Sequence, residues 1–453
     1  MGIHQKQGEF WAEPVELARR IPAEHPLRRM DRVLRLDFVR FEVAGKHGTR
    51  GNVPVDPAII MRLMLLLFLD DVRSERELMR VLPLRIDYLW FLGYGLDDEV
   101  PDHSVLSKAR ARWGTAVFES LFSRVVAQCF EAGLISGDKV HVDSSLVRAD
   151  ASHNSVVKRI VEVQMGKLEG EPAQDAPAAP TPEPATDART TAREKQAPAN
   201  DTHQSKTDPD STLVRHKGGK PAPSYKVHRV VDDKAGVITA VKTTHGTINE
   251  GNELMAMIAQ HEKHTGGRVQ TAVGDSCYGD TASFVALAQA GINAHVADLR
   301  SRQRNPHSEG IYPAEAFRYD SRHDVFHCPG GEQLKRHHFH QRRNHWEYRP
   351  ARGVCAACPL REQCTRDKSG RTLKRHEHQE LLDRARAQSH REAARADRKR
   401  RQWLGEMSFA RGAKLHGMKR ARWRRVWRQS IQDWLIAAVQ NLKMLASHRW
   451  QPA

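Results

Sequence analysis

The chain has 453 residues, of which 39% are hydrophobic, and its 72 Lys and Arg outnumber its 55 Asp and Glu, which gives a formal net charge of +17. This length and composition predict two or three folded units with sizeable cores, which excludes a disordered protein. The charge favours a polyanionic partner, with nucleic acid as the first candidate, over a surface that is merely basic and soluble.

The sequence predicts no segment that enters a membrane. Its start, MGIHQKQGEFW, lacks an apolar signal core, and its longest apolar run, residues 58–69, contains Arg62 and is too short to span a bilayer. Six cysteines in so long a chain do not indicate the disulfide framework of a secreted protein. We therefore expect a cytoplasmic protein with no membrane partner.

Residues 1–125 are predicted to form an all-helical N-terminal domain. Asp56 and Pro57 provide an N-cap and a proline at the first helical position, and apolar residues at helical spacing follow. Ser74 and Glu77 have the spacing of a capping box before the next helix. This domain could bind DNA ends with helix-turn-helix character, or it could only pack on the next domain, and the sequence gives the two interpretations equal weight.

An α/β domain is predicted from the segments 137–304 and 376–453, because strand and helix patterns alternate there in the manner typical of one sheet with helices around it. Residues 171–200 hold 6 Pro and 9 Ala with almost no large apolar side chain, so a flexible linker is predicted within this domain, over residues 165–212. The predicted strands cover residues 139–147, 226–231, 236–244, 269–274 and 293–296, and the predicted helices cover 252–264 with Asn252 as the cap, 281–290, the basic stretch from Leu381, and 429–446.

Residues 305–375 are rich in Cys, His and Arg and poor in periodic apolar positions, which indicates a small inserted module. Four cysteines in this stretch, which include one CxxC pair, could hold a structural zinc ion through their thiolates. These cysteines are Cys328, Cys355, Cys358 and Cys364. His327 or His338 could replace one of the thiolates, and the alternative is four thiols without metal in a reducing compartment.

The C-terminal segment 381–450 holds 18 Lys or Arg against 5 Asp or Glu, so the positive charge is concentrated there. Such a density favours contact with DNA phosphates, largely independent of base sequence, over a solvated helix face. The candidate DNA-binding residues are Arg411, Lys414, Lys419, Arg420, Arg422, Arg424, Arg425 and Arg428.

Asp143 and Asp275 stand in or just after apolar strands, where Asp is poorly favoured and is costly if it is buried without a partner. Cleaving or joining a phosphodiester requires stabilised oxygens, and metal ions such as Mg²⁺, which prefer hard oxygen ligands, can provide this. By spacing alone, a metal site and a pair of carboxylates that hydrogen-bond turns at strand ends are equally good interpretations.

Several blocks of sequence, in this order, resemble the DDE transposases of bacterial insertion sequences, in particular the group with a Cys-rich insertion before the catalytic Glu. The blocks are PVDPAIIMRLMLLLFL, PDHSVLSKARARWG, HVDSSLVRADAS, TDPDS with a Tyr-Lys-Val-His strand after it, GDSCYGD, the Cys cluster and the basic tail RGAKLHGMKRARWRRVWRQ. Together they extend over nearly the whole chain. The resemblance implies an RNase H-like fold with an Asp, Asp, Glu triad, whose first two members match Asp143 and Asp275.

The third member of the triad is expected on a helix before the basic tail, where Glu406 is the best match. The family also has a Tyr and an Arg at fixed offsets upstream of this Glu. This chain has Gln402 at the Arg offset, with Arg401 next to it, and no Tyr nearby. Glu406 is the only acidic residue in the cationic stretch 398–428, and Glu392 is the alternative.

The resemblance implies a polynucleotidyl transferase that uses Mg²⁺ or Mn²⁺ on Asp143, Asp275 and Glu406. It further implies cleavage at terminal inverted repeats, attack of the released 3′-hydroxyl on target DNA, a homodimer that synapses two DNA ends, and a location in the bacterial cytoplasm at the nucleoid. Two alternatives are a catalytically inactive or domesticated transposase that only binds DNA, and an RNase H-like nuclease that cleaves without joining.

Overall fold

The computed structural model describes residues 16–46, 55–158, 199–215, 219–298 and 309–448. Most of the predicted linker, residues 165–212, lies outside the described residues. The part inside them, residues 199–212, forms a short helix and a short strand, so the predicted linker extends too far towards the C-terminus. Asp208 in this part is fully buried, which explains the order: its carboxylate accepts hydrogen bonds from the Tyr225 hydroxyl and the Arg425 amide.

Within the described ranges 16–46 and 55–138, eight α-helices precede the first strand. They are α1 (Leu17–Arg20), α2 (Pro26–Val33), α3 (Asp37–Val43), α4 (Pro57–Leu69), α5 (Glu75–Val81), α6 (Ile86–Leu92), α7 (Ser104–Trp113) and α8 (Ala116–Glu131). The two predicted helix starts are confirmed, because Asp56 accepts a hydrogen bond from the Ala58 amide and Ser74 accepts one from the Glu77 amide.

Six strands form the central sheet. They are β1 (Lys139–Arg148), β4 (Thr212–Arg215), β5 (Pro221–Asp232), β6 (Ile238–His245), β7 (Thr271–Gly274) and β8 (Asn293–Val296). β5 runs antiparallel to β1 and β6, and β4 pairs with the first residues of β5. β7 is parallel to β1 and β8 is parallel to β7, so the order across the sheet is β6, β5, β1, β7, β8.

Helices cover both faces of this sheet. They are α10 (Glu250–Thr265), α11 (Thr281–Gln289), α13 (Gln379–Ser389), α14 (Glu392–Leu415) and α15 (Val426–His448). α10, α11 and α13 share one hydrophobic core with Val140 and Val142 of β1. α15 and the N-terminal helices share a second core with Val147, Val227 and Val241. Because this core is continuous, the N-terminal helices pack directly on the α/β region.

One helix start differs from its prediction. α10 begins at Glu250, and its cap is Asn249, whose side chain accepts a hydrogen bond from the Gly251 amide. Asn252, the predicted cap, lies inside the first turn. Two asparagines three residues apart offered the same signal, and apolar periodicity defines a helix boundary only to within about two residues.

A second sheet follows β8 in the chain and consists of five antiparallel strands. They are β9 (Arg318–Asp320), β10 (Val325–His327), β11 (Gln333–His340), β12 (His345–Pro350) and β13 (Leu373–His376), in the order β13, β12, β11, β10, β9. The helix α12 (Arg361–Cys364) lies between β12 and β13 in the chain. The fully buried core of this sheet is small and consists of Phe317, Leu334, Tyr348, Cys364 and Leu373. We call residues 309–376 the insert sheet region.

The remaining elements are α9 (Ala199–Thr202) and a two-stranded sheet of β2 (Val156–Lys158) and β3 (His203–Ser205). These two strands pair antiparallel with each other. None of the described helices combines the length and the apolar character that a bilayer-spanning segment requires.

Candidate active site

Asp143 lies in β1, with strands on both sides of it. Its side chain is only 18% exposed; one oxygen accepts a hydrogen bond from the Ser144 amide at 2.9 Å, and the other lies 3.1 Å from a guanidinium nitrogen of Arg401. Burial raises the pKa of Asp143, Arg401 opposes this rise, and the nearby negative charges of Asp275 and Glu406 add to it. The structure thus brings all three predicted carboxylates into one electrostatic neighbourhood.

Asp275 directly follows β7, the parallel neighbour of β1. Parallel strands end at the same edge of a sheet, and for this reason the residue after β7 lies close to Asp143. One oxygen of Asp275 accepts a hydrogen bond from the Cys277 amide at 2.8 Å and caps the short 3₁₀ helix Ser276–Tyr278. The turn-capping interpretation of this residue is therefore correct for one of its two oxygens.

Glu406 is carried by α14, which passes directly over β1. A Cβ atom placed on Gly405 would lie 3.0 Å from the nearer oxygen of Asp143, so the helix backbone packs against that carboxylate. The Glu406 side chain is exposed, unlike that of Asp143. The ligand oxygens of the three carboxylates do not all lie within 4.8 Å of one another.

Arg401 is a site residue that sequence reasoning did not select. Its side chain is 10% exposed and forms the ion pair with Asp143, whereas Gln402, at the family's Arg offset, is exposed. Residues four apart on a helix share a face, so Arg401 and Gly405 both meet β1. The signal was an arginine one position away from its expected place; only the phase of α14 on the sheet shows which residue reaches the carboxylate.

Tyr278, Glu250 and Lys226 complete the surroundings of Asp143 and were also not selected from the sequence. Burial raises the pKa of Tyr278, and the negative charges of Asp143 and Glu250 add to this. Glu250 accepts hydrogen bonds from Lys226 at 2.8 Å and from the Ser144 hydroxyl at 3.2 Å. Tyr278 belongs to the GDSCYGD block and Lys226 to the Tyr-Lys-Val-His strand, so both residues lie in blocks that carry the family resemblance.

The eight basic residues predicted to bind DNA fall into different environments. Arg422 is 11% exposed at its side chain and is held by Asp71 and by the backbone carbonyls of Leu67 and Val72. It joins the C-terminal segment to the N-terminal helices, so a structural role describes it better than a DNA contact. The sequence alone could not distinguish Arg422 from the other basic residues of this segment, because the burial of its side chain depends on how α4 packs against it.

Most of the other predicted DNA contacts are exposed. Lys419 donates a hydrogen bond to the Ser145 hydroxyl on β1, and Asp143 contributes to its electrostatic surroundings. Arg420 and Arg424 both lie near Asp150, at 3.8 and 3.4 Å. Arg425 is paired with Asp210 at 3.1 Å, and the Arg428 guanidinium lies over the Trp427 ring. Arg411 and Lys414 are exposed on α14.

The four cysteines of the insert sheet region share one neighbourhood. A Cβ atom on Gly330 would lie 3.5 Å from the Cys358 sulfur and 3.7 Å from the Cys328 sulfur. Burial raises the pKa of Cys364, and the other three thiols add to the rise. No three of the four sulfurs, however, lie within 4.8 Å of one another.

Comparison with known protein families gives two matches. The family described as a transposase domain (DUF772) matches residues 15–112, and the family described as a transposase DDE domain matches residues 327–446. The second match includes Glu406 and the four cysteines, whereas Asp143 and Asp275 lie outside both. No curated protein matched the chain. The two matches support a DDE transposase of an insertion sequence.

Proposed function

We propose that this protein cleaves DNA at the terminal inverted repeats of its element and transfers the released strand into target DNA. The observation that carries the proposal is the convergence of Asp143, Asp275 and Glu406 at the middle of the central sheet. The strand order β6, β5, β1, β7, β8, with the last two strands parallel to β1, is the order expected of an RNase H-like core. The family matches support the transposase class of reaction.

Mg²⁺ or Mn²⁺ fits the donor set, because all three side chains offer hard oxygen ligands. Burial raises the pKa of Asp143 even with Arg401 beside it, so this carboxylate lacks the full positive compensation that a divalent cation would provide. Bound metal would stabilise the attacking and the leaving oxygen of the phosphodiester. Since Glu406 is exposed, its side chain can turn towards Asp143 without disturbing the core.

The residues around the triad have distinct roles in this proposal. Arg401 holds the Asp143 carboxylate in position from the buried side, and Gly405 allows α14 to approach it closely. Lys419, next to Ser145 on β1, is placed to hold a phosphate of the scissile strand. Alignment and electrostatic stabilisation are the main demands of phosphoryl transfer, and both are met by side chains on rigid strands and helices.

DNA beyond the scissile bond would contact the exposed basic side chains of the C-terminal segment. We assign this role to the exposed Arg411, Lys414, Lys419, Arg420, Arg424 and Arg425 and to the half-exposed Arg428, and leave out the largely buried Arg422. The N-terminal helices are proposed to contribute to DNA-end binding, and two copies of the chain would synapse the two ends. The four cysteines are proposed to hold a structural zinc ion, which would draw their sulfurs together.

The proposal is tested by strand cleavage and strand transfer on DNA that bears the element's terminal repeats, with Mg²⁺ or Mn²⁺. We expect Asp143→Asn, Asp275→Asn and Glu406→Gln each to lower the rate by at least about a hundredfold while DNA binding persists. Glu392→Gln, a carboxylate at the start of the same helix, is the matched control and should keep its activity.

Other outcomes would assign the protein differently. A wild-type protein that binds these ends but never cuts them would be an inactive or domesticated transposase. Cleavage without joining would indicate an RNase H-like nuclease. An active Glu406→Gln variant together with an inactive Glu392→Gln variant would move the third carboxylate to Glu392.

A further inference from the structure

Three ligand-type side chains meet in the insert sheet region, outside the carboxylate site. His340 on β11 lies directly opposite His345 on β12, and Glu347 follows two residues later on the same face of β12. One ligand atom from each of the three lies within 4.8 Å of the others. Within the described residues, this is the one group of three or more His, Cys, Asp or Glu side chains that meets this distance.

The imidazole of His345 is buried, and one of its two ring nitrogens has no hydrogen-bond partner among the described residues. The residue is 8% exposed, its Nε2 atom has no hydrogen-bond partner among the described residues, and its ring is hydrogen-bonded to the backbone of Arg343. A buried polar atom without a hydrogen-bond partner is unfavourable, because it has lost its hydration and gained nothing in exchange. An imidazole with one nitrogen fixed by the backbone and the other free is the arrangement found in protein ligands to metals.

Glu347 is equally buried and is already oriented. One of its oxygens lies 3.0 Å from His340 Nε2, and the other is 3.0 Å from a guanidinium nitrogen of Arg349. An ordinary cross-strand ion pair would explain the contact between Glu347 and His340. It would not explain why the ring of His345, which has a buried nitrogen without a partner, lies within ligand distance of both side chains, and this difference points to a missing ligand rather than to a salt bridge alone.

We propose that His340, His345 and Glu347 form a binding site for a divalent transition metal ion, with Zn²⁺ as the best-fitting class. Two imidazoles and one carboxylate are a ligand set that suits zinc and leaves a fourth position for water or another side chain. His376 on β13 lies directly opposite His345 and is the nearest candidate for that position. The site is separate from the four cysteines and uses none of them.

A metal at this position would join β11 to β12 at the end of their hairpin. The insert sheet region has a fully buried core of only five side chains, so apolar burial supplies little of its stability. Metal that binds only the folded state stabilises that state in proportion to the logarithm of its concentration over its dissociation constant. The site would therefore hold the two strands together next to the turn that connects them.

The test is a titration of the full chain with Co²⁺, followed by competition with Zn²⁺, under reducing conditions. We expect visible d–d absorption that lacks thiolate charge transfer and that arises from this site. His345→Ala and Glu347→Gln should each weaken this binding by at least about tenfold. The matched control is His337→Ala, an exposed histidine on β11 outside the group, which should bind as the wild type does.

His340→Ala is the variant that should bind less metal and still fold, because the His340 side chain is 41% exposed and its removal leaves no cavity. The proposal is overturned if His340→Ala and His345→Ala bind Co²⁺ with the wild-type affinity. It is equally overturned if the only bound Co²⁺ shows thiolate charge transfer, since that metal would belong to the cysteines.

Discussion

The central sheet and the insert sheet region hold charged side chains in opposite ways. Asp143 lies in a sheet that is covered on both faces by large apolar cores, and it keeps a raised pKa that Arg401 only partly offsets. In the insert sheet region, with its small core, the buried Glu347 instead pairs across strands with the partly exposed His340. A large core can carry an electrostatically unfavourable carboxylate for function, whereas a small one uses its polar groups to hold strands together.

The largest expected effect tests the precision of the central site. In Gly405→Ala, the new methyl group would lie 3.0 Å from an oxygen of Asp143, and the backbone of α14 cannot move away without repacking. We expect cleavage to fall by about a hundredfold with only a small loss of stability. In the control Gly412→Ala, on the same helix, the methyl meets the Met418 sulfur instead of Asp143, so a much smaller loss of cleavage is expected. Equal losses in both variants would contradict this account.

A second buried carboxylate, Asp433 on α15, tests how far the central core tolerates a group whose charged form is disfavoured by burial. Burial raises the pKa of Asp433 to about 6, although Thr243 and Gln429 donate hydrogen bonds to it. A carboxyl whose pKa is raised by folding favours the folded state below its unfolded pKa, and this contribution is lost as the pH rises through about 6.

The variant Asp433→Asn lacks this titration, so its stability relative to wild type should rise between about pH 4 and about pH 7.5, by up to about 3 kcal/mol. Chemical denaturation at the two pH values measures the difference. A constant difference between variant and wild type across this range would show that Asp433 does not titrate as described.

The insert sheet region should unfold independently of the central sheet when its core is weakened. Leu334 is 1% exposed and is one of only five fully buried core side chains there, so Leu334→Ala should cost about 2 kcal/mol or more. Hydrogen exchange should then speed up in β9 to β13 while β1 and β5 stay protected. Uniform loss of protection in both sheets would mean that they share one cooperative unit.

The smallest expected effect distinguishes the roles of Lys414 and Arg422, two basic residues of the C-terminal segment. Lys414→Gln should lower DNA affinity without a preference for sequence and reduce the slope of log affinity against log salt by about 1. Arg422→Gln should leave that slope unchanged and lower the melting temperature instead, because Arg422 holds Asp71 and two backbone carbonyls. A reversed pattern would return Arg422 to the DNA surface.

Local pattern was sufficient for most elements of this fold. The capping residues Asp56 and Ser74, the strand that carries Asp143, and the strand 293–296 are found where the sequence predicted them. Each of these signals depends on a few consecutive residues, whose backbone preferences and apolar spacing operate before any distant contact forms. The predicted end of the linker was less accurate, because distant contacts of Asp208 order the residues before β5. The predicted cap of α10 was less accurate because two asparagines offered the same signal.

The site divides in the same way. Family resemblance and strand position lead to Asp143 and Asp275, family resemblance and the charge pattern lead to Glu406, and the catalytic role of all three stays a prediction. The ion pair of Arg401, the burial of Arg422 and the grouping of His340, His345 and Glu347 depend on helix phase, on packing between distant segments and on strand register. Helix phase, packing and register each depend on residues that are far apart in the chain. No local pattern encodes them, and only the folded arrangement determines them.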